Sequence, residues 1–285
     1  MTAEKIAILV DSGSDVPREY REKYNMYVAP LTIIYKDAEY RDGVDIDPQT
    51  VYERFSEEIP STSLPSPATV AEIFKKIKAD GFEKVIVVVI SSGLSGTFEM
   101  LRNFGSEPEG LEAYYVDTRN IGIGSGFSAI RAGELIEQGL SFSDVCSQVE
   151  AAAKNTKLFF CVATLEYLLK GGRIGLVAGV MGMLLDVKPV ISCNEDGIYY
   201  TVAKARGREK SLKLALEKAV EFAQGAKEYN ITVVQGAAEA EGKALMAAMK
   251  ERLPDFRYAI EEQLTPALVV HTGPGLIGIG VQRLA

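Results

Sequence analysis

Mostly apolar runs recur along the first half of the chain at residues 5–10, 26–35, 84–90 and 111–116, the strongest of them the β-branched 84–90. The first, third and fourth give way to short polar loops and then to a helix signal, the pattern of buried strands alternating with helices, while 36–43 after the second reads as an exposed hairpin excursion. Asp47-Pro48 and Ser66-Pro67 place an N-cap and a proline at the first helical position, predicting helices to about 58 and over 68–80. Two adjoining helices are expected at 122–138 and 141–155. Beyond them the pattern changes. Strands are predicted at 157–163 and 187–193, with Asn194-Glu195-Asp196-Gly197 as the turn of a hairpin returning over 198–205. Helices at 210–224 and 238–252 then alternate with strands at 231–235, 257–262 and 267–271. The predicted fold class is α/β with two domains. A doubly wound, mostly parallel sheet occupies 1–155, and an α+β domain with a mixed sheet occupies 156–285. The cleft between them is the expected ligand site.

Composition narrows the classes of function. At 285 residues and 47% hydrophobic, the chain can bury two cores of ordinary size. Its 31 Lys and Arg stand against 39 Asp and Glu, a net charge of −8, which excludes general attraction to nucleic acid or to an anionic membrane. The three cysteines, Cys146, Cys161 and Cys193, are widely spaced and fit neither a disulfide framework nor a zinc site. Residues 174–185 form an apolar run too short to span a bilayer, and the amino-terminal residues lack a signal h-region. A cytoplasmic protein without stable membrane insertion is expected. Gly122-Ile123-Gly124-Ser125-Gly126 fails the dinucleotide fingerprint at Phe127, and no Walker loop occurs, so no cofactor and no metal are expected.

Candidate chemistry lies where strands end. Ser91-Ser92-Gly93-Leu94-Ser95-Gly96-Thr97 follows the strongest strand signal, and a helix opening at Thr97 or Phe98 would aim free N–H groups into this loop. The loop reads as an anion cradle. A second hydroxyl-rich loop, Pro60-Ser61-Thr62-Ser63-Leu64-Pro65-Ser66-Pro67, precedes the helix over 68–80. Arg173, after Gly171-Gly172, can hold a phosphate or carboxylate through its forked guanidinium. Arg206 belongs to a local basic cluster over 203–210 on an otherwise acidic chain. His271, the only histidine, is placed at the end of the predicted 267–271 strand beside Gly273-Pro274-Gly275. A competing reading is a serine hydrolase, because Gly93-Leu94-Ser95-Gly96-Thr97 falls one residue short of the G-x-S-x-G elbow. Ser95, an aspartate such as Asp117 or Asp186, and His271 then follow the α/β-hydrolase order.

Five segments in register resemble the DegV family of bacterial fatty-acid-binding proteins, which includes the binding subunits of fatty acid kinase. They are Asp11-Ser12-Gly13-Ser14-Asp15, Thr62-Ser63 with Pro65, Ser91 through Thr97, Lys170-Gly171-Gly172-Arg173 and His271-Thr272-Gly273-Pro274-Gly275. The resemblance covers the whole chain; Leu64 and Gly207 depart from it, standing where glutamine and threonine are frequent. It implies a non-catalytic protein that holds a long-chain fatty acid in a tunnel between two domains. Thr62 and Ser95 would bind the carboxylate, with Ser63, Ser92, Gly96, Thr97 and His271 as the surrounding shell. It further implies presentation of the acid to a separate ATP-dependent fatty acid kinase subunit, contacted through Arg173 and Arg206. The apolar residues 176–185 are candidate walls for the lipid tail, where each buried methylene contributes roughly 0.8 kcal/mol.

Overall fold

A computed structural model describes residues 4–104, 110–180 and 186–284. In chain order the first half contains β1 (Ile6–Asp11), α1 (Arg18–Lys23), β2 (Tyr27–Ala29), β3 (Thr32–Ile34), β4 (Glu39–Arg41), α2 (Pro48–Arg54), β5 (Ser61–Ser63), α3 (Pro67–Ala79), β6 (Lys84–Val89), α4 (Thr97–Phe104), β7 (Glu112–Asp117), α5 (Ile123–Glu137) and α6 (Phe142–Lys154). The second half contains β8 (Thr156–Cys161), α7 (Glu166–Lys170), β9 (Val187–Cys193), β10 (Tyr199–Arg206), α8 (Arg208–Ala223), β11 (Glu228–Gly236), α9 (Glu239–Arg252), β12 (Phe256–Gln263), α10 (Pro266–Thr272) and β13 (Leu276–Leu284).

Period-two alternation assigns the faces of the first sheet, which is all parallel in the order β2-β1-β6-β7. Ala7, Leu9, Val85, Val87 and Val89 pack with Phe74 and Ile77 of α3 and Leu101 of α4. Ile6, Ile8, Val10, Ile86 and Val88 point the other way, into the core shared with α5 and α6. The second sheet, β10-β9-β8-β13-β11-β12, is mixed, and only β11 and β12 run parallel. Its outer face, including Ile231, Ile277 and Ile279, is covered by α8 and α9. Its inner residues Leu158, Phe160 and Val234 join the same core as α5 and the first sheet. The result is five layers: helices, parallel sheet, α5 and α6, mixed sheet, helices. The doubly wound sheet, the mixed sheet and the helix caps at Asp47 and Ser66 agree with the sequence reading, and Ser141, expected inside its helix, is the N-cap of α6. All three cysteines are free and buried, and burial pushes their thiols up to about 12, 11 and 12 in chain order.

Four expectations require correction. The apolar run over 26–35 is two short strands, because Pro30 breaks it and sends β2 and β3 into different sheets. The Thr62 segment is not a loop but β5, paired with β3 in a three-stranded antiparallel sheet, β4-β3-β5. The helix capped by Asp47 ends at Arg54, short of 58. Residues 267–271, expected as a strand, form the two-turn helix α10: Pro266 opens it and Gly273, at φ +67, ends it. The strand of that region is instead β13, central in the second sheet.

Candidate functional site

Strand order reverses between β1 and β6, since the chain leaves β1 to one side for β2 and to the other for β6. Ligands of open α/β sheets bind beyond the carboxyl ends of the strands at such a point. A cavity of about 220 Å³ lies there, bounded by Leu31, Ile90, Leu94 and Ile121 from the first half. Leu158, Phe160, Tyr199, Val234 and Gly278 line it from the second sheet, and Leu264, Ala267 and Leu268 from the approach to α10 and its first turns. Its polar groups are Thr62, Ser63, Ser95, Arg173, His271 and Thr272.

Thr62 is carried on β5 and His271 on the last turn of α10, and Thr62 Oγ1 lies 2.7 Å from His271 Nε2. Gly171 makes this pairing possible. A Cβ there would stand 2.1 Å from His271 Nδ1, so only glycine lets the ring sit against the Lys170-Gly171-Gly172-Arg173 turn. Burial, reinforced by the Arg173 guanidinium, lowers His271 to about 4, leaving a neutral imidazole near neutral pH. Nδ1 is buried and has no hydrogen-bond partner among the described residues. A lone pair left unpaired costs less than an orphaned N–H, so the proton belongs on Nε2, and Thr62 accepts it with its own hydroxyl proton free for the cavity.

Ser95 is half-buried at the mouth of the Ser91–Thr97 loop, its Oγ 2.8 Å from Thr97 Oγ1 and accepting the Thr97 N–H at 3.3 Å. Thr97 opens α4 and is itself fully buried, so it supports Ser95 rather than lining the cavity. Ser92 turns away: its Oγ donates to Asp117 Oδ2 at 2.6 Å, and its N–H to Asp117 Oδ1. Gly93 serves packing, because the Asp196-Gly197 hairpin turn approaches so closely that a Cβ would meet the Asp196 carbonyl oxygen at 2.7 Å. Arg173 donates through Nη1 to the Gly171 carbonyl at 2.8 Å and through Nε to the Leu94 carbonyl at 3.3 Å. It borders both the cavity and an outer groove of about 360 Å³ formed with Ser92, Gly93, Leu94, Ser95, Gly96 and Gly172. Gly96 lines only that groove, and Arg206 lies exposed at the end of β10, lining neither.

The structure therefore brings Thr62, Ser63, Ser95, Arg173 and His271 together at the cavity; Thr97 lies behind Ser95, Ser92 and Gly96 reach only the outer groove, and Arg206 reaches neither. Among the described residues the structure assembles no hydrolase relay through Asp117. His271 bonds Thr62 and not Ser95, and Asp117 bonds Ser92. The tail wall expected at 176–185 is not found in its described part, since Leu176 is exposed and residues 176–180 do not line the cavity. Residues 181–185 lie outside the described residues. The walls that sequence reasoning missed come from β8, β11, α10 and β13. The last was signalled by the alternation Leu276-Ile277-Gly278-Ile279-Gly280.

Fold and cavity define a class: an α/β protein whose switch-point crevice on a parallel sheet is roofed by a mixed sheet into a largely apolar compartment that also carries hydroxyl, imidazole and guanidinium groups. Residues 5–284 match the family described as uncharacterised protein, DegV family. The chain belongs to the DegV family. A DegV domain-containing protein of Clostridium acetobutylicum is 41% identical over 283 residues, covering 97% of this chain and 98% of its own. Among solved structures, one described by the fatty acid binding of a DegV family protein from Thermus thermophilus is 30% identical with a TM-score of 0.89, covering 98% of this chain and 100% of its own. Another, described as a stearic-acid-binding protein from Eubacterium ventriosum, is 29% identical with a TM-score of 0.87, covering 98% of each chain. Among the described residues no helix is long and apolar enough to cross a membrane.

Proposed function

We propose that the chain binds one long-chain fatty acid in the cavity, its carboxylate held by Thr62 and Ser95, and presents the acid to a separate ATP-dependent kinase subunit for acyl phosphate formation. The observation that carries this reading is the lining of the compartment: apolar walls from both sheets, interrupted by the Thr62, Ser63 and Ser95 residues, the Thr62–His271 pair and Arg173. Thr62 and Ser95 are uncharged donors that hold a carboxylate without taking its charge, which leaves an oxygen nucleophilic toward a phosphoryl donor, while the guanidinium of Arg173 stands at the cavity border. The tail supplies the affinity, at roughly 0.8 kcal/mol per buried methylene. Ser63 and His271 complete the head-group shell, and Thr97 acts through Ser95. In this reading Arg173, which borders both the cavity and the outer groove, meets a phosphoryl group arriving from outside, and the exposed Arg206 serves the partner surface.

Organic extraction of the purified protein, followed by mass spectrometry, is expected to release long-chain acids. The loaded wild type is expected to be turned over by its kinase subunit and ATP, and Arg173→Ala to bind the acid without turnover. Absence of extractable acid together with no uptake of oleate or palmitate would overturn the binding role; binding without turnover by any kinase subunit of the organism would overturn presentation.

A further inference from the structure

The Asp11-Ser12-Gly13-Ser14-Asp15 motif takes no part in the cavity lining, yet it holds two of the three buried aspartates at the carboxyl end of β1. Asp11 is held locally, by Ser14 Oγ at 2.6 Å and the Ile90 N–H at 3.3 Å. Asp15 and Asp42 reach across the molecule instead. Asp15 Oδ1 accepts the Thr265 N–H at 3.1 Å, and Asp42 Oδ1 accepts the Ala267 N–H at 2.9 Å, across 250 and 225 residues of sequence. The other oxygen of each carboxylate is buried and has no hydrogen bond of ordinary geometry among the described residues, with the Thr265 hydroxyl near both carboxylates and the Ser12 hydroxyl near Asp42.

An ordinary helix start needs none of this, because a serine or threonine side chain caps it without desolvating a charge. Thr265 stands in that position and its side chain makes no cap hydrogen bond. Two costly carboxylates from the opposite half do the work, and what they grip is the short helix that ends at His271. Both ends of α10, about 10 Å apart, are thus tied to the first half: the start through Asp15 and Asp42, the end through Thr62. Asp15 φ is +46, a left-handed conformation that turns its carboxylate out of the loop toward Thr265, beside the cavity-lining Gly122.

We propose that Asp15 and Asp42 are positioning residues for the head-group end of the cavity, fixing α10 so that His271 holds the Thr62 hydroxyl toward the ligand carboxylate. This rests on the fatty-acid reading of the cavity. The groups facing the pair are Asp11 from β1, Arg21 from α1, Tyr52 from α2, Tyr199 from β10 and Glu262 from β12, with Arg18 and Arg41 on the same cleft. Burial raises Asp42 to about 6 and Asp15 to about 8. Both therefore gain charge as the pH rises from 6 to 8, and a charged carboxylate grips an N–H more strongly.

The test compares the affinities of oleic acid and oleyl alcohol, which share a tail and differ only in the head group. Wild type is expected to prefer the acid, with the preference growing from pH 6 to 8. In Asp15→Asn and Asp42→Asn the acid-to-alcohol ratio should fall at least tenfold while alcohol affinity stays within twofold, and the doubly substituted chain should show a flat pH profile. A structural role alone would lower both affinities in proportion, and that result, or an unchanged ratio, overturns the proposal. Should the variants not fold, the wild type still decides: its His271 ring nitrogen resonances are expected to shift between pH 6 and 8, where the ring itself does not titrate, and fixed resonances overturn the proposal. A wild type that binds neither lipid removes the fatty-acid reading first, a failure distinct from loss of head-group discrimination.

Discussion

Thr62 and Ser95 present hydroxyls to the same cavity but are unequal targets for mutation. Thr62 is also the partner of a buried imidazole, whereas Ser95 shares its hydrogen bonds with Thr97 close to the surface. Each alanine variant is expected to weaken fatty acid binding by roughly 1 to 3 kcal/mol, the range for a lost bond to a charged acceptor, without unfolding the protein. Thr62→Ala should also lower the melting temperature more, because it strands His271 Nε2. Ligand titration and thermal melts check both statements; two variants that bind like wild type would place the carboxylate elsewhere. The buried aspartates set a pH dependence of stability whose sign can be worked out. Burial raises Asp42, Asp11 and Asp15 to about 6, 7 and 8, so the folded state binds more protons than the unfolded chain, and stability falls as pH rises from about 4 through those values. His271, depressed to about 4, acts oppositely, and its contribution is lost as pH falls from about 6.5 toward 4. Above pH 6.5 only the carboxylates remain. Stability is expected to drop by on the order of 1 to 3 kcal/mol between pH 6.5 and 8.5, and Asp15→Asn should flatten the profile of melting temperature against pH.

Among the elements, β13 shapes the tail compartment. Ile277, Ile279 and Val281 face the helices, while Gly278 and Gly280 leave the inner face bare. Leu158 lies across both bare positions, 3.6 Å and 3.0 Å from where their Cβ atoms would stand, and so closes a groove that the glycines open. Leu158→Ala is expected to shift the preferred acid toward longer chains, and Gly278→Ala, whose Cβ would press Val234 at 2.8 Å, toward shorter ones. Competition among acids of graded length measures the shift, at a temperature low enough to allow for the roughly 2 to 5 kcal/mol that a buried Leu→Ala change costs. The same elements show what was legible in the sequence. β1, β6 and the capped helices α2 and α3 stood out because continuous apolar runs and Asp-Pro or Ser-Pro starts are local signals. α10 did not, since it is buried nearly all round, its amphipathic period is erased and Val269-Val270 suggests a strand. Its proline start and glycine stop were the better guide. Thr62 and Ser95 could be named from their hydroxyl-rich settings and the family resemblance, but the Thr62 pairing with His271 and the grip of Asp15 and Asp42 join residues more than 200 positions apart. No local pattern encodes them.

At the scale of the whole molecule, no strand of either main sheet crosses residues 155 and 156, yet the largest core cluster runs from Ile6 through α5 to Leu276. We therefore place at 155/156 a boundary of architecture and not of stability. The chain is expected to unfold in one cooperative transition, with coincident denaturation curves from probes in each half, and separate fragments 1–155 and 156–285 to be unstable because each would expose the face it now shares. Two resolved transitions would contradict this. The buried cysteines give that expectation a clock. Cys146 sits in α6, Cys161 and Cys193 in the second sheet, and burial raises all three thiols so far that a neutral solution leaves almost no thiolate. An alkylating reagent added to the native protein thus counts excursions out of the folded state and registers little else. If the halves let go together, the three sulfurs are modified at one rate, and a bound ligand that bridges the halves slows all three by the same factor.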